Sequence, residues 1–477
     1  MNFCNLVVMK HISFYLIILL IGNKTLTAQT DSVTLNYLSE YYFESVLPYS
    51  AYTATFNQNN PNYIYAACRE LGVVTFNVED VYHPIPVDTV ALIAFNNFKP
   101  TNLSQQGNYL YVATGGFDGF TQNAGLAILD ITMPEHPVIQ DLWDSTAFNQ
   151  GAAIAISDGE FAYLGAMDKG VVILDVSDKT KIKYLSSILP DPNFPEVPDL
   201  FSVPNARGLW LLNDNELLVA NDAGGLRKIN ISNKNAPYEM EKYANVEIEA
   251  TAQSAYNNIV VIDHYAYITV DYCGLEVIDL NTNPMSNVFW FNPWDCDVTN
   301  WDGRPGHTNN LKAVGDSLLF VSGGDSELLV FDITNPVNPV LVGSYATPFD
   351  SIASWSLDVN FPYVSLALID NSIWGVPFYS NVGGIILLEA NVIKETAITN
   401  HVIDKMFFYP NPVNTQLYLA KNTLNTKVYI SDITGKLIAS YTNVTEINCS
   451  ALTPGLYSIT MYTPEGNLIA GDTFVKY

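Results

Sequence analysis

The chain has 477 residues, more than a single hydrophobic core ordinarily serves, so two domains or a repeat array are predicted. Hydrophobic residues make up 48% and charged ones 14%, with 29 Tyr, 28 Gly and 25 Pro, which excludes a disordered or mainly helical chain and points to strands and turns. The formal net charge of −27 sits almost wholly between residues 29 and 404 and weighs against nucleic acid and anionic membranes as partners; such acidity reads first as solubility in a saline exterior.

Residues 1–28 have the form of a secretory signal. Lys10 and His11 precede an apolar run from Ile12 to Ile21, and Leu26-Thr27-Ala28 supplies a small-residue cleavage site, with Met9 as an alternative start. The run is about half of what a bilayer span needs, so an exported chain without a transmembrane anchor is expected. No Leu-x-x-Cys lipidation site lies near the cut. Four cysteines follow, Cys68, Cys273, Cys296 and Cys449, too few to staple a fold of this size. Cys273 and Cys296 fall in loops of one rim and are the candidate disulfide pair; the lack of a CxxC spacing argues against zinc.

From Tyr63 to Glu389 one pattern recurs seven times: an apolar stretch, a turn, then Gly and alternating apolar residues closing on an acid or its amide. The copies are GVVTFN (72–77), GLAILD (125–130), GVVILD (170–175), GLRKIN (225–230), GLEVID (274–279), ELLVFD (327–332) and GIILLE (384–389). Units this short bury their faces only by stacking on neighbours. In the third copy the predicted strands are Ala152–Ile156, Phe161–Ala166, Gly170–Val176 and Ile182–Ser187, joined by Asp- and Gly-bearing turns. Four hairpin-linked strands make one propeller blade. Ser32–Tyr41 is the candidate outer strand of the last blade, sealing the ring against exposed edges. The expected fold is all-β: a seven-bladed β-propeller over 29–393, a linker over 394–404 and a small C-terminal antiparallel β-sandwich over 405–477.

The phrases Gly125-Leu-Ala-Ile-Leu-Asp-Ile-Thr-Met-Pro-Glu-His-Pro137 and Leu328-Leu-Val-Phe-Asp-Ile-Thr-Asn-Pro-Val-Asn-Pro339 resemble the LVIVD repeat family, with its apolar run, Asp and Pro-x-x-Pro turn. The resemblance spans residues 60–390 and implies a β-propeller, with no activity attached. The first copy departs from it at Glu79–Pro84, the third and fourth lose one or both prolines, and the seventh carries a long insertion. Asp130, Asp175, Asp279 and Asp332 at the strand ends are read as acceptors for the following turn rather than as a metal or catalytic set. Gly315-Asp316-Ser317-Leu318 spells a hydrolase phrase but falls on a hairpin turn in the repeat register. No HExxH and no phosphate-cradling glycine loop occurs, so no catalytic residue is assigned.

Two places on one rim carry recognition chemistry. The crossover from Phe289 to Asn310 is rich in aromatics and acids: Trp294 and Trp301 are candidates for stacking on a sugar or a partner side chain, and Asp295, Asp297 and Asp302 are candidate Ca²⁺ ligands. The competing reading is that Trp290 and Trp294 pack this loop onto its blade. Arg207, Asn257, His307 and Trp355, aligned at the starts of inner strands, are placed at the channel mouth as a ligand-binding lining. Asp168, Asp222, Asp271, Asp325 and Asp370 would ring that mouth, where hairpin-turn preference alone also explains them.

The tail has its own motifs: Phe407-Phe-Tyr-Pro-Asn-Pro412, Val428-Tyr-Ile-Ser-Asp-Ile-Thr-Gly-Lys436, Leu452-Thr-Pro-Gly-Leu-Tyr457 and Phe474-Val-Lys-Tyr477. In this order they resemble the C-terminal sorting domain of type IX secretion. The resemblance implies that the type IX machinery is a partner through 405–477, reads the tail at the outer membrane and usually removes it, leaving the cargo released or attached to the surface. Triplets such as Asp31-Ser32-Val33 and Asp88-Thr89-Val90 resemble the O-glycosylation tripeptide of bacteria that use this route. The expectation is an extracellular or surface binding module for an unknown protein or glycan, with an enzyme on glycans or peptides, or a purely structural role, as alternatives. A chain lacking 405–477 is expected to stop in the periplasm; its normal appearance at the surface, scored by protease shaving of whole cells, would contradict the sorting assignment.

Overall fold

The computed structural model describes residues 32–43, 49–116, 122–195, 204–249, 255–293, 296, 307–323, 327–346, 352–372, 380–393, 404–405, 408–419, 425–433, 435–464 and 468–477. The predicted signal segment and residues 394–403 of the predicted linker lie outside them. Among the described residues helix is confined to Val246–Glu249 and two short 3₁₀ turns.

The described residues form seven four-stranded antiparallel sheets that follow one another along the chain. Blade 1 comprises Ala51–Phe56, Tyr63–Cys68, Gly72–Asn77 and Ile85–Ala91, from inner to outer strand. Blades 2 to 6 repeat this order, with inner strands Pro100–Gln106, Ile154–Ser157, Asn205–Asn213, Tyr256–Ile262 and Thr308–Val314. Blade 7 takes Ser354–Asn360, Tyr363–Asp370 and Asn381–Ile393 from the end of the repeat region and its outer strand, Ser32–Tyr42, from the beginning. The pairing runs from Ser32 opposite Ile393 to Tyr42 opposite Gly384. The structure is therefore the all-β propeller read from the repeats, closed by the strand proposed to close it.

The recurrent motif has a steric cause. Gly72 and Gly225 start third strands at φ of +108° and +76°, and a Cβ on either would collide with an outer-strand carbonyl, of Val90 and Tyr243 respectively. Only glycine fits where the backbones approach so closely. The acid or amide closing the strand accepts the backbone N–H two residues on: Thr132 to Asp130 at 2.8 Å, Ser177 to Asp175 at 3.0 Å, Asn281 to Asp279 at 2.8 Å and Thr334 to Asp332 at 2.9 Å. Asn77 and Asn230 do the same for Glu79 and Ser232. These side chains are spent on turns.

Each seam between neighbouring blades holds an apolar cluster. Blades 2 and 3 share Leu126, Ile128, Leu164 and Leu174, and blades 7 and 1 share Leu387, Ile385, Ile64 and Phe76. Hydroxyls also tie one blade to the next: Thr101 donates to the Ala152 carbonyl at 2.6 Å, Thr269 to Asn309 at 3.0 Å and Ser365 to Ala54 at 3.0 Å. Near the opposite end of the channel, Asp358 accepts from Thr55 Oγ1 and the Phe56 amide, 2.7 and 2.9 Å, and pairs with Lys312 at 2.8 Å, linking blades 6, 7 and 1.

Beyond the ring, a five-stranded and a three-stranded sheet face one core that includes Leu417, Val428, Ile430, Ile459 and Phe474. Asp404–Lys405 already pairs, in parallel, with Ala470 and Gly471 of the last strand, so this unit begins one residue before the predicted boundary. It is docked, not tethered. Tyr409 and Tyr418 stack at 5.4 Å and lie in the apolar cluster of blades 5 and 6, with Tyr409 fully buried 5.9 Å from Phe291.

Starting the chain at residue 44 leaves the third strand of blade 7 with a bare edge. The expected result is self-association in light scattering and a loss of cooperative melting; a monomer with unchanged Tm would contradict the account of closure.

Candidate functional site

Six inner strands carry one extra residue near their start. Pairing to the second strand steps from Ala51 to Thr53, Pro100 to Asn102, Ala206 to Gly208 and Ser354 to Ser356 against consecutive partners. Between Tyr256 and Ile259, and between Thr308 and Leu311, two residues oppose one. A bulge turns the unpaired side chain out of the alternation. The residues so released are Tyr52, Thr101, Arg207, Asn257 or Asn258, Asn309 or Asn310, and Trp355, and all of them line one cavity on the ring axis. Blade 3 contributes Ala153 and Ile154. All seven blades thus meet in a polar pocket with aromatic walls.

The four predicted lining residues come together here with two of the predicted rim acids. Arg207 Nη1 lies 3.8 Å from Asp222 Oδ2, and its guanidinium stands 6.0 Å from the Trp355 ring. His307 Nε2 is 3.2 Å from Asp271 Oδ1, which also accepts from Asn257 Nδ2. Asn257 Nδ2 donates further to the Thr308 carbonyl at 2.9 Å, while its Oδ1 is buried with no hydrogen-bond partner. His307 is only 3% exposed, stacked on Trp355 at 5.9 Å and edge-on to Tyr272 at 4.9 Å. It holds Asp271 and Trp355 in place from behind, whereas Arg207, Asn257 and Trp355 line the cavity.

The two acids differ. Burial pushes the Asp222 carboxyl up to about 6, against the opposing pull of Arg207 and with Asp271 adding to the rise. Burial acts on Asp271 as well, but the charges of His307 and Arg207 and the bond from Asn257 outweigh it and hold that carboxyl below its ordinary range. Of the remaining rim acids, Asp168 pairs with Lys169 at 2.8 Å and Asp370 accepts the Ser372 amide at 3.0 Å. Asp325 lies outside the described residues.

Trp294, Trp301, Asp295, Asp297 and Asp302 of the crossover also lie outside the described residues. Among the described residues no group of three or more His, Cys, Asp or Glu is arranged to hold a metal ion. At the edges of the crossover, Cys273 and Cys296 form a disulfide, and Trp290 Nε1 donates to the Cys273 carbonyl at 2.7 Å. Glu276, fully buried nearby, accepts from Tyr243, Asn245, Tyr256 and Asn287 at 2.8 to 3.0 Å, joining blades 4 and 5.

A model described as the LVIVD repeat matches residues 100–142, 151–188, 255–292 and 305–347, which are blades 2, 3, 5 and 6. A second, the secretion system C-terminal sorting domain, matches residues 407–470. The chain carries LVIVD repeats and a type IX sorting domain. The sorting domain marks it for export to the cell surface or extracellular space, and among the described residues no helix is long and apolar enough to cross a membrane. No curated protein sequence matches. Among solved structures, the RRP9 WD40 repeats align at 11% identity over 75% of this chain and 100% of that one, TM-score 0.51. The WD40 propeller of Doa1 aligns at 10% over 74% and 96%, TM-score 0.50. These establish the propeller fold and nothing of function. PorZ, described as an essential surface component of the type IX system of Porphyromonas gingivalis, aligns at 13% identity over 88% of this chain but spans only 65% of that chain, TM-score 0.40.

Blade 4 is one of three blades outside those matches. Its third strand carries Arg227, fully buried, which donates to the carbonyls of Gly224, Asp191 and Phe194 and to Glu239 at 2.5 to 3.2 Å. Arg227 pins the segment after blade 3 onto blade 4.

Two outcomes follow for the rim. The folded-state value of Asp222 lies above its ordinary 3.8, so the stability it contributes is present at low pH and lost as pH rises through about 6. Asp271 has the opposite sign and loses its contribution as pH falls. Trp355 fluorescence is expected to titrate with a midpoint near 6 and to stay flat in Asp222→Asn; an unchanged titration in the variant would refute the assignment. Replacing Cys273 and Cys296 together by serine opens a loop closed over a separation of 23 residues and is expected to cost about 3 kcal/mol in urea unfolding.

Proposed function

We propose that this exported propeller is a binding module, not an enzyme, and that its ligand sits in the axial cavity at the rim. The observation that carries the reading is the set of inner-strand bulges. Six blades each add one residue near the start of the inner strand, and the residues so placed all line the same pocket. Pre-positioned amides, a guanidinium and an indole on a rigid closed sheet suit recognition with little ordering cost. The signal peptide over 1–28 and the domain limits given above belong to the same proposal.

An enzyme acting on glycans or peptides is the second reading, and one observation favours it. Asp222 and Asp271 interact within one cluster and are pushed in opposite directions, the arrangement acid–base pairs use. The full chain would be assayed for binding to cell-surface extracts and for turnover of chromogenic glycosides and peptides, with Trp355→Ala and Asp222→Asn alongside. Saturable binding weakened at least tenfold by Trp355→Ala, without turnover, is the expected result. Turnover abolished by Asp222→Asn would replace the binding module with the enzyme.

A further inference from the structure

Two short strands of the sorting unit, Phe408–Tyr409 and Gln416–Leu419, pair Phe408 with Leu419 and Tyr409 with Tyr418. Successive strand residues face opposite sides, so one pair is turned into the sandwich and the other away from it. Phe408 and Leu419 lie in the core of the sorting unit, whereas Tyr409 and Tyr418 belong to the apolar cluster of blades 5 and 6. Tyr409 is 0% and Tyr418 4% exposed, although both point out of the domain that carries them. Their seat is built by Phe291 at the end of the blade 5 outer strand, Phe331 edge-on to it at 5.0 Å, and Leu341 of the blade 6 outer strand. Aromatic rings buried against apolar side chains of another module are the kind of anchor that separate chains use to bind one another.

The backbone link contributes no side chain to this seat. On one side of it Ile393 is paired with Ser32, on the other Asp404 with Ala470, so a cut anywhere from 394 to 403 takes no residue out of a described sheet. Each part keeps its own apolar core. Residues 405–477 carry five Lys against four acids, so the strongly acidic ring meets a unit that it does not repel. Losing the link removes only the raised local concentration of one part at the other. We infer that the seat on blades 5 and 6 is a binding site for the sorting unit as a separate chain, which stays docked after the backbone between them is cut and leaves only when something competes for the Tyr409–Tyr418 face. Freeing the propeller then takes two steps, scission and displacement, and the partner that completes the second offers an apolar surface to those two rings.

A specific protease sequence placed within 394–403 of the full chain, and cut to completion, gives both parts from one folded protein. Gel filtration at about 10 µM, followed by a dilution series, reads whether they travel together. Tyr409→Ser with Tyr418→Ser alters the face of the sorting unit, Phe291→Ser alters the ring alone, and Tyr82→Ala, exposed on blade 1, is the control. Melting curves accompany each, and where the double variant does not fold, Phe291→Ser decides. Expected are co-elution of the parts with natural residues, binding at least about tenfold weaker in both seat variants, and no change in the control. Natural parts that separate at once overturn the inference. A complex that survives unchanged in Phe291→Ser overturns the seat. Parts that separate while the freed propeller pairs with itself also overturn it, and assign the seat to a second copy of this chain.

Discussion

Everything in the ring depends on the pairing of Ser32–Tyr42 with Asn381–Ile393. Without it blade 7 has three strands, and its apolar seam with blade 6, where Val33 packs among Val342, Leu366 and Ile386, loses one wall. With it the seven seams become a closed series, so no blade can tilt without straining all the others. Gly343 records how tight this closure is: a Cβ there would come within 2.5 Å of the Val33 carbonyl. The hydroxyl ties from one blade to the backbone of the next then hold the channel wall at fixed spacing, and the bulged residues project from a frame that does not relax around them.

That rigidity is what makes the polar interior tolerable. Arg227 and Glu276 are fully buried, and each satisfies its charge with three or more partners that belong to different segments or blades. Buried charges of this sort stabilise little by themselves but are costly to break, so they select one arrangement over its near neighbours. At the rim the same logic is left unfinished. The groups around Asp222 and Asp271 balance one another in charge, while Asn257 Oδ1 is sealed in without a hydrogen-bond partner.

The architecture was legible because its causes are local. A glycine wherever an outer-strand carbonyl presses close, and an Asx side chain wherever a turn follows, recur with every blade, and the sealing strand was readable from its position before the first copy. That Arg207, Asn257, His307 and Trp355 cluster was reachable by aligning the copies. What aligns does not report depth: His307 proved to be buried support rather than lining. The bulges left no compositional trace, since one extra residue in an apolar run looks like any other. The partners of Asp271 and Glu276 were hidden for a different reason. They come from neighbouring blades, and only ring closure decides which residues meet there. Asp222 and Asp271 carried the same turn signal as Asp168 and Asp370, and sequence alone had no means of telling a carboxyl that titrates near 6 from one that only closes a hairpin.

The burial of Tyr409 and Tyr418 against blades 5 and 6 changes how the two parts of the chain share load. Two modules joined only by a tether can be pulled or turned independently. Here a force on the sorting unit enters the ring sideways, through Phe291 at the end of the outer strand of blade 5, where Trp290 is fastened to the disulfide-bonded Cys273. Whatever grips the tail therefore holds the propeller in one orientation, and separating them requires peeling two stacked rings out of an oily notch rather than cutting a slack leash.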